Sequence, residues 1–275
     1  MAITLTEKFT DKVDERFKKE TLSNAGVNHD YSWEGAKTIK VTAVDTVPMG
    51  DYKREGTNRF GQAKELENQL QEMTLTQDKS FSFTIDKMNE NETMIKAAEA
   101  LGRQIRERVV PTVDTYRFGQ MVEKAGKKVE EDLTKTNIYE AVVTATEVLD
   151  DAEVPENRVI FATPEAIKLL KLCDGYVKAG DLAQDRIIFK GQVAELDGMP
   201  VVKVPKARLG ANTNFIVTHA SATVAPIKLA DYRIHQDPPG ISGSLVEGRV
   251  YFDAFVLDQK KDAVYASVRK TPVTP

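Results

Sequence analysis

The sequence is poor in the residues that most often carry chemistry. One cysteine, three histidines and one tryptophan occur among 275 residues. Cys173 can close no internal disulfide and lacks the histidine cluster a zinc site needs, so cysteine usage fits a reducing cytoplasm. His29, His219 and His235 stand far apart with no second ligand at helical or CxxC-like spacing, which leaves no metal motif. Long apolar runs are missing too. No window approaches the roughly 18 apolar residues of a membrane span, and the N-terminal MAITLTEKFTDKVDERFKK has no apolar stretch of signal-peptide length. Positive charge is not in excess: a formal net charge of -4 argues against a protein that gains affinity by neutralising phosphates, so any DNA contact is weak or local.

Catalytic motifs are equally scarce. The glycines of GISGS match neither a dinucleotide fingerprint nor a phosphate loop and read as a flexible joint, and no GxSxG elbow occurs. Asp150, Asp151 and Glu153 form a carboxylate cluster, but at a helix end before Pro155, where solvated acids are common. Asn91-Glu92-Thr93 is a formal glycosylation acceptor without a signal peptide to give it meaning. Cys173, after an apolar helix, reads as a small buried residue. The expectation is no catalytic residue, no cofactor and no metal.

What the chain has is pattern. Charged residues make up 29% and hydrophobic ones 41%, enough for one large domain or two moderate ones with a core. Leu5, Phe9, Val13 and Phe17 recur every four positions, a narrow apolar stripe on an amphipathic helix that packs on its own domain or docks on a neighbour. Ile39, Val41 and Ala43 alternate with polar residues, as do Phe81, Phe83 and Ile85 later, so both stretches read as one-faced strands. The thirty or so mostly polar residues between them far exceed an ordinary hairpin loop of about two to five. A two-stranded ribbon is marginal alone in water, so this one should lie against its own core or another copy. The tip, 50–71, is the best candidate for intersubunit contact, because its charges and length make little sense on a free monomer.

The longest helix follows. Met94, Ala97, Ala98, Leu101, Ile105 and Val109 keep helical spacing, Asn89 with Glu92 resembles a capping box, Gly126 offers a stop, and Pro111 should bend or split the run. Arg103, Arg106 and Arg108 have Glu99 and Glu107 nearby as intrahelical partners. Residues 137–149 predict a second helix, RVIFAT a strand, and Thr163-Pro164 an N-cap and first-turn proline for PEAIKLLKL. Asp197-Gly198 inside QVAELDGMPVVKVP predicts a tight hairpin. NFIVTH is a further strand, and RVYFDAFVLD and DAVYASV form a closing pair joined by QKK.

This order, with RVIFATPEAIKLL and the terminal GRVYFDAFVLDQKKDAVYA as its most specific stretches, resembles tailed-bacteriophage major capsid proteins of the Hong Kong 97 fold over essentially the whole chain. The resemblance implies an α+β fold: an N-terminal arm at 1–30, an extended E-loop hairpin at 31–88, a peripheral domain with a long spine helix at 89–134, an axial α/β domain at 135–236, and a return to the peripheral domain at 237–275. It implies a structural subunit, not an enzyme, assembling into pentamers and hexamers of an icosahedral virion head built in the bacterial cytoplasm. The partners implied are other copies, a separate scaffolding protein, a portal protein, a decoration protein, and packaged double-stranded DNA held only weakly; no membrane is involved. Contact between subunits is expected at Lys53, Arg54, Glu55, Arg59, Lys64 and Glu65 of the hairpin and at Phe9 and Phe17 of the arm, and the capsomer centre at 174–191. Some relatives carry a cleaved scaffold domain of about a hundred residues ahead of the arm; here only some thirty residues precede the hairpin, so no large cleavage is expected. The type member also cross-links an E-loop lysine to a late asparagine, and none occurs here after Asn214, so the shell should hold together noncovalently. The rival readings are an encapsulin-type compartment shell of the same fold, a cytosolic enzyme without recognisable motif, and a tail component, the last disfavoured by the long helix and missing fibrous repeats. A terminase or portal encoded nearby would separate phage from compartment.

Overall fold

A computed structural model describes residues 21–28, 31, 38–44, 46–63, 65, 68–87, 97–173 and 195–270. The arm stripe with Phe9 and Phe17, Lys64, His29, the capping box at Asn89 and the stretch 174–191 lie outside the described residues. The chain divides into two compact units, Trp33–Leu75 and the remainder.

The smaller unit is a two-stranded ribbon. β1 (Thr38–Val44) pairs antiparallel with β2 (Asn68–Thr74), Thr38 opposite Thr74 and Val44 opposite Asn68. The return strand expected at 80–86 is therefore wrong. That segment belongs to β3 (Gln77–Asp86), which pairs with β11 (Gly243–Phe252), itself paired with β10 (Ile227–Gln236), in a three-stranded sheet. The 80–86 segment alternates with period two, but periodicity marks a strand without choosing its partner.

The apolar face of β3 needs no neighbouring copy. Phe81, Phe83 and Ile85 pack with Tyr232, Val246, Val250 and Phe252 against the long helix. That helix runs as α1 (Ala97–Gln104), a π turn (Ile105–Val109) and α2 (Val110–Glu123), with Pro111 in the first turn of α2. A proline lacks the N–H that the preceding turn would use, and the wider turn just before it absorbs the misfit. The irregular turn thus lies just before Pro111. Arg103 pairs with Glu107 at 2.9 Å as the spacing predicts. Gly126 is not the helix's left-handed stop: its N–H donates to the Lys261 carbonyl at 2.9 Å, and a Cβ would sit 2.7 Å from Asp262 Cα.

A six-stranded sheet carries the rest, in the order β4 (Lys127–Glu130), β13 (Val264–Val268), β8 (Thr213–His219), β5 (Arg158–Ala162), β7 (Met199–Lys203), β6 (Glu195–Leu196). The two last long strands of the sequence are not partners. β11 lies in the three-stranded sheet, whereas β13 is central in this one. The short β12 (Phe255–Val256), which pairs with β9 (Thr223–Val224), makes the transfer. Every residue of β5 is buried because both faces are covered. Ile160 and Ala162 meet α3 (Ile138–Asp151) and α4 (Pro164–Lys171) on one side, and Val159 and Phe161 meet Phe118 and Met121 of α2 on the other. The predicted cap is present, Thr163 Oγ1 accepting from Ala166 N–H at 3.3 Å. So is the tight hairpin, with φ of 52° at Asp197 and 71° at Gly198 between β6 and β7. The supposed joint GISGS instead belongs to the turn between β10 and β11 and the start of β11, where Asp237 N–H donates to Gly243 O at 2.7 Å and Asp237 Oδ1 accepts from Gly243 N–H at 3.1 Å.

Candidate assembly interface

The hairpin tip is built by its own backbone. Lys53 N–H donates to Arg59 O at 3.0 Å, Gly61 N–H to Asn58 O at 2.9 Å, and Arg59 Nε to Gly56 O at 3.2 Å. Gly56, Asn58 and Gly61 take positive φ, which glycine and asparagine adopt most readily. The Tyr52 and Phe60 rings meet edge-on at 5.0 Å. Yet the apolar groups here face water: Met49 is 102% exposed, Phe60 93% and Tyr52 53%. Full burial of Met49 or Phe60 would contribute about 1.5–3 kcal/mol each, which the isolated chain leaves unused. Lys53, Arg54, Glu55, Arg59 and Glu65 are exposed on the same tip and make no ion pair among the described residues. Reading the charges alone missed Met49, Tyr52 and Phe60. The signal was present, since large apolar residues in a polar loop are unexplained by a core.

The segment before the hairpin is held by a buried polar clasp. Asp114 of α2 is fully buried and accepts from Leu22 N–H at 3.2 Å, Ser23 Oγ at 2.8 Å and Arg208 at 3.2 Å. Arg117, one turn on, donates to Ser23 Oγ at 3.0 Å, Asn24 Oδ1 at 3.1 Å and Ala225 O at 3.1 Å. Burial pulls the Arg117 guanidinium well below its ordinary range, against the opposing charge of Asp114. Gly26 sits so close to Phe161 that a Cβ would lie 2.6 Å from the ring. The clasp fixes residues 22–24 against α2.

A second carboxylate fixes the start of β3. Asp253 Oδ2 accepts from Thr76 N–H at 2.7 Å and Thr76 Oγ1 at 2.9 Å, while Oδ1 accepts from Tyr116 OH at 2.7 Å. Burial first, then Asp253, pushes the Tyr116 hydroxyl up to about 12. Beside it a groove of about 460 Å³ is lined by Arg108, Pro111, Thr112, Tyr116, Arg208 and Phe252.

Asp150, His219 and His235 have structural partners. Asp150 pairs with the buried Arg158 at 2.7 Å. His219 Nδ1 caps the turn after β8, accepting from Ser221 N–H at 3.2 Å, and burial lowers its pKa. His235 faces Glu247 across β10 and β11 at 3.4 Å. Cys173 is buried beyond α4. Among the described residues no three His, Cys, Asp or Glu side chains group as a metal site, and no helix is long and apolar enough to cross a membrane.

No family model matches the sequence, and no curated protein does. Solved structures do match in fold. A structure from Mycobacterium phage Che8 aligns with a TM-score of 0.73 at 18% identity over 90% of both chains. The capsid structure of Cyanophage P-SCSP1u gives 0.71 at 13% identity, covering 90% of this chain and 88% of that one. A virus-like particle from Pyrococcus furiosus gives 0.58 at 10% identity, covering 98% of this chain and 100% of that one. Identity this low speaks to architecture alone, and over nine-tenths of its length the chain has the α+β, Hong Kong 97-like fold of phage capsid subunits.

Proposed function

We propose that the chain is the major capsid protein of a tailed phage, a non-enzymatic subunit that assembles with its own copies into the icosahedral virion shell around double-stranded DNA. The observation that carries this reading is the hairpin tip: an ordered loop presenting Met49, Tyr52 and Phe60 to water on a chain that shares its fold with a phage capsid. Exposed apolar groups of this size are a cost to a monomer and a gain to an assembly. The tip of one copy would cover a neighbour, and the groove beside Pro111, Tyr116 and Phe252 is the receiving surface we favour. Lys53, Arg54, Glu55, Arg59, Lys64 and Glu65 would then form the polar rim of that contact, and Phe9 and Phe17 a second one from the arm. The five-part division into arm, hairpin, peripheral, axial and returning segments belongs to the same reading. So do a separate scaffolding protein, a portal and a decoration protein as partners, pentamers and hexamers as the assembly units, and assembly in the host cytoplasm. The net charge of -4 agrees with a wall that touches packaged DNA only weakly.

Light scattering of the purified chain, alone and with the candidate scaffolding protein, tests it: Phe60→Ser with Met49→Ser should abolish growth of large species without lowering the subunit's melting temperature. Unchanged assembly would remove the tip from the contact. A second reading, a compartment shell enclosing protein cargo, draws on the match to the virus-like particle over 98% of this chain and 100% of that one. Nuclease-protected DNA in purified particles separates the two.

A further inference from the structure

Outside the hairpin, four large apolar side chains of the described residues are exposed, and three of them, Tyr139 at 42%, Val143 at 40% and Leu172 at 56%, lie on or just beyond α3 and α4. The inward faces of these helices are spent on the six-stranded sheet. Their outward faces carry opposite charge. Residues 138–157, α3 and the turn after it, hold six acids and no lysine or arginine, and Glu140, Glu147 and Asp151 flank Val143 on the exposed side. Exposed Lys168 and Lys171 flank Leu172 at the end of α4. Asp150 is held by Arg158, but none of these three acids or two lysines makes an ion pair among the described residues. Glu147 and Asp151, four positions apart on one helix, repel one another. Among the described residues each surface is thus an apolar patch bordered by charges of one sign that make no ion pair.

We propose that the outward face of α3 on one copy receives the α4 end of the next copy, Tyr139 and Val143 meeting Leu172 while the acids meet Lys168 and Lys171. A two-fold contact could pair the acids of each copy with the lysines of the other only between two chains, whereas a head-to-tail arrangement uses the two surfaces on different neighbours and extends to rings where the rotation closes. The inference rests on the shell-forming reading but concerns a surface separate from the hairpin tip.

Two charge reversals test it. E140K/E147K/D151K makes both surfaces basic, and K168E/K171E makes both acidic, so each variant alone should show large species reduced by about tenfold or more, since like charge across an interface costs several kcal/mol. An equimolar mixture of the two should recover a substantial part of the lost assembly, because alternating copies restore every contact in a six-membered ring and four of five in a five-membered one. As a check independent of charge, Y139S/V143S should also lower assembly while leaving the dispersed subunit's melting temperature unchanged. Failure of the mixture to recover, or either reversal assembling like the unaltered chain, overturns the proposed contact and leaves the shell reading standing. An unaltered chain that stays monomeric with and without a scaffolding partner overturns both.

Discussion

Replacing Asp114 by asparagine should cost far more than its small change in shape suggests. The carboxylate is fully buried, accepts from Leu22, Ser23 and Arg208, and is the counter-charge of Arg117, which is 2% exposed. Asparagine keeps the volume, removes that charge and turns one acceptor into a donor facing donors. Removing one partner of a buried pair costs about 3–5 kcal/mol. Arg208 is 21% exposed and can turn to water, which sets the expectation at the lower end, about 3 kcal/mol. For a chain of this size that is a melting temperature lower by about 6–12 °C. Circular dichroism of the dispersed subunit measures it. Adding Arg117→Met to Asp114→Asn removes the orphaned charge, so the double variant should be less destabilised than the sum of the singles by about 1–2 kcal/mol. Asp114→Asn within about 0.5 kcal/mol of the original, the range of an ordinary surface change, would refute the view that this clasp holds the segment at 21–28.

Gly248→Ala places a Cβ 2.3 Å from the Phe81 ring and should destabilise by about 1–3 kcal/mol, as overpacking does; Phe81→Leu should recover part of that, and denaturant midpoints would show both. Acid should weaken the fold in two stages. The unfolded chain takes up a proton at His219 below pH 6.5 before the folded chain does, and the Arg249 hydrogen bond holds Asp78 below 3.8, so its contribution is lost as pH falls through that lowered value. Asp78→Asn should flatten the lower stage of a stability profile. Alkali weakens it too: Tyr116 and Tyr265 are held up to about 12, so stability present below pH 10 declines between 10 and 12, and Tyr265→Phe should lessen that decline. Mature particles should run as single chains on a denaturing gel, because a lysine–asparagine cross-link has no asparagine available after Asn214.

Local signals were the most legible. The Thr163-Pro164 helix start and the Asp197-Gly198 turn are set by residues adjacent in sequence, and both appeared as read. Pairing between distant segments was not legible in the same way. The strand holding Phe81, Phe83 and Ile85 was assigned to the ribbon because it alternates, but β1 takes 68–74, a stretch too polar to announce itself, and β3 crosses to β11. β10 went unnoticed because its burial follows no clean alternation. The closing strands were separated by β12, whose two residues carry no period at all. The clasp was invisible for another reason: Ser23, Asp114, Arg117 and Arg208 lie up to 185 positions apart, and buried polar groups look like surface ones until their partners are in place. At the tip, charge drew attention where the exposed apolar residues carry the argument.

Assembly is read most plainly by electron microscopy of the purified protein, expressed alone and with its candidate scaffolding partner. Closed shells or tubes with a wall of uniform thickness are expected. Small discrete particles under both conditions, at concentrations where capsid subunits assemble, would contradict the shell-forming reading.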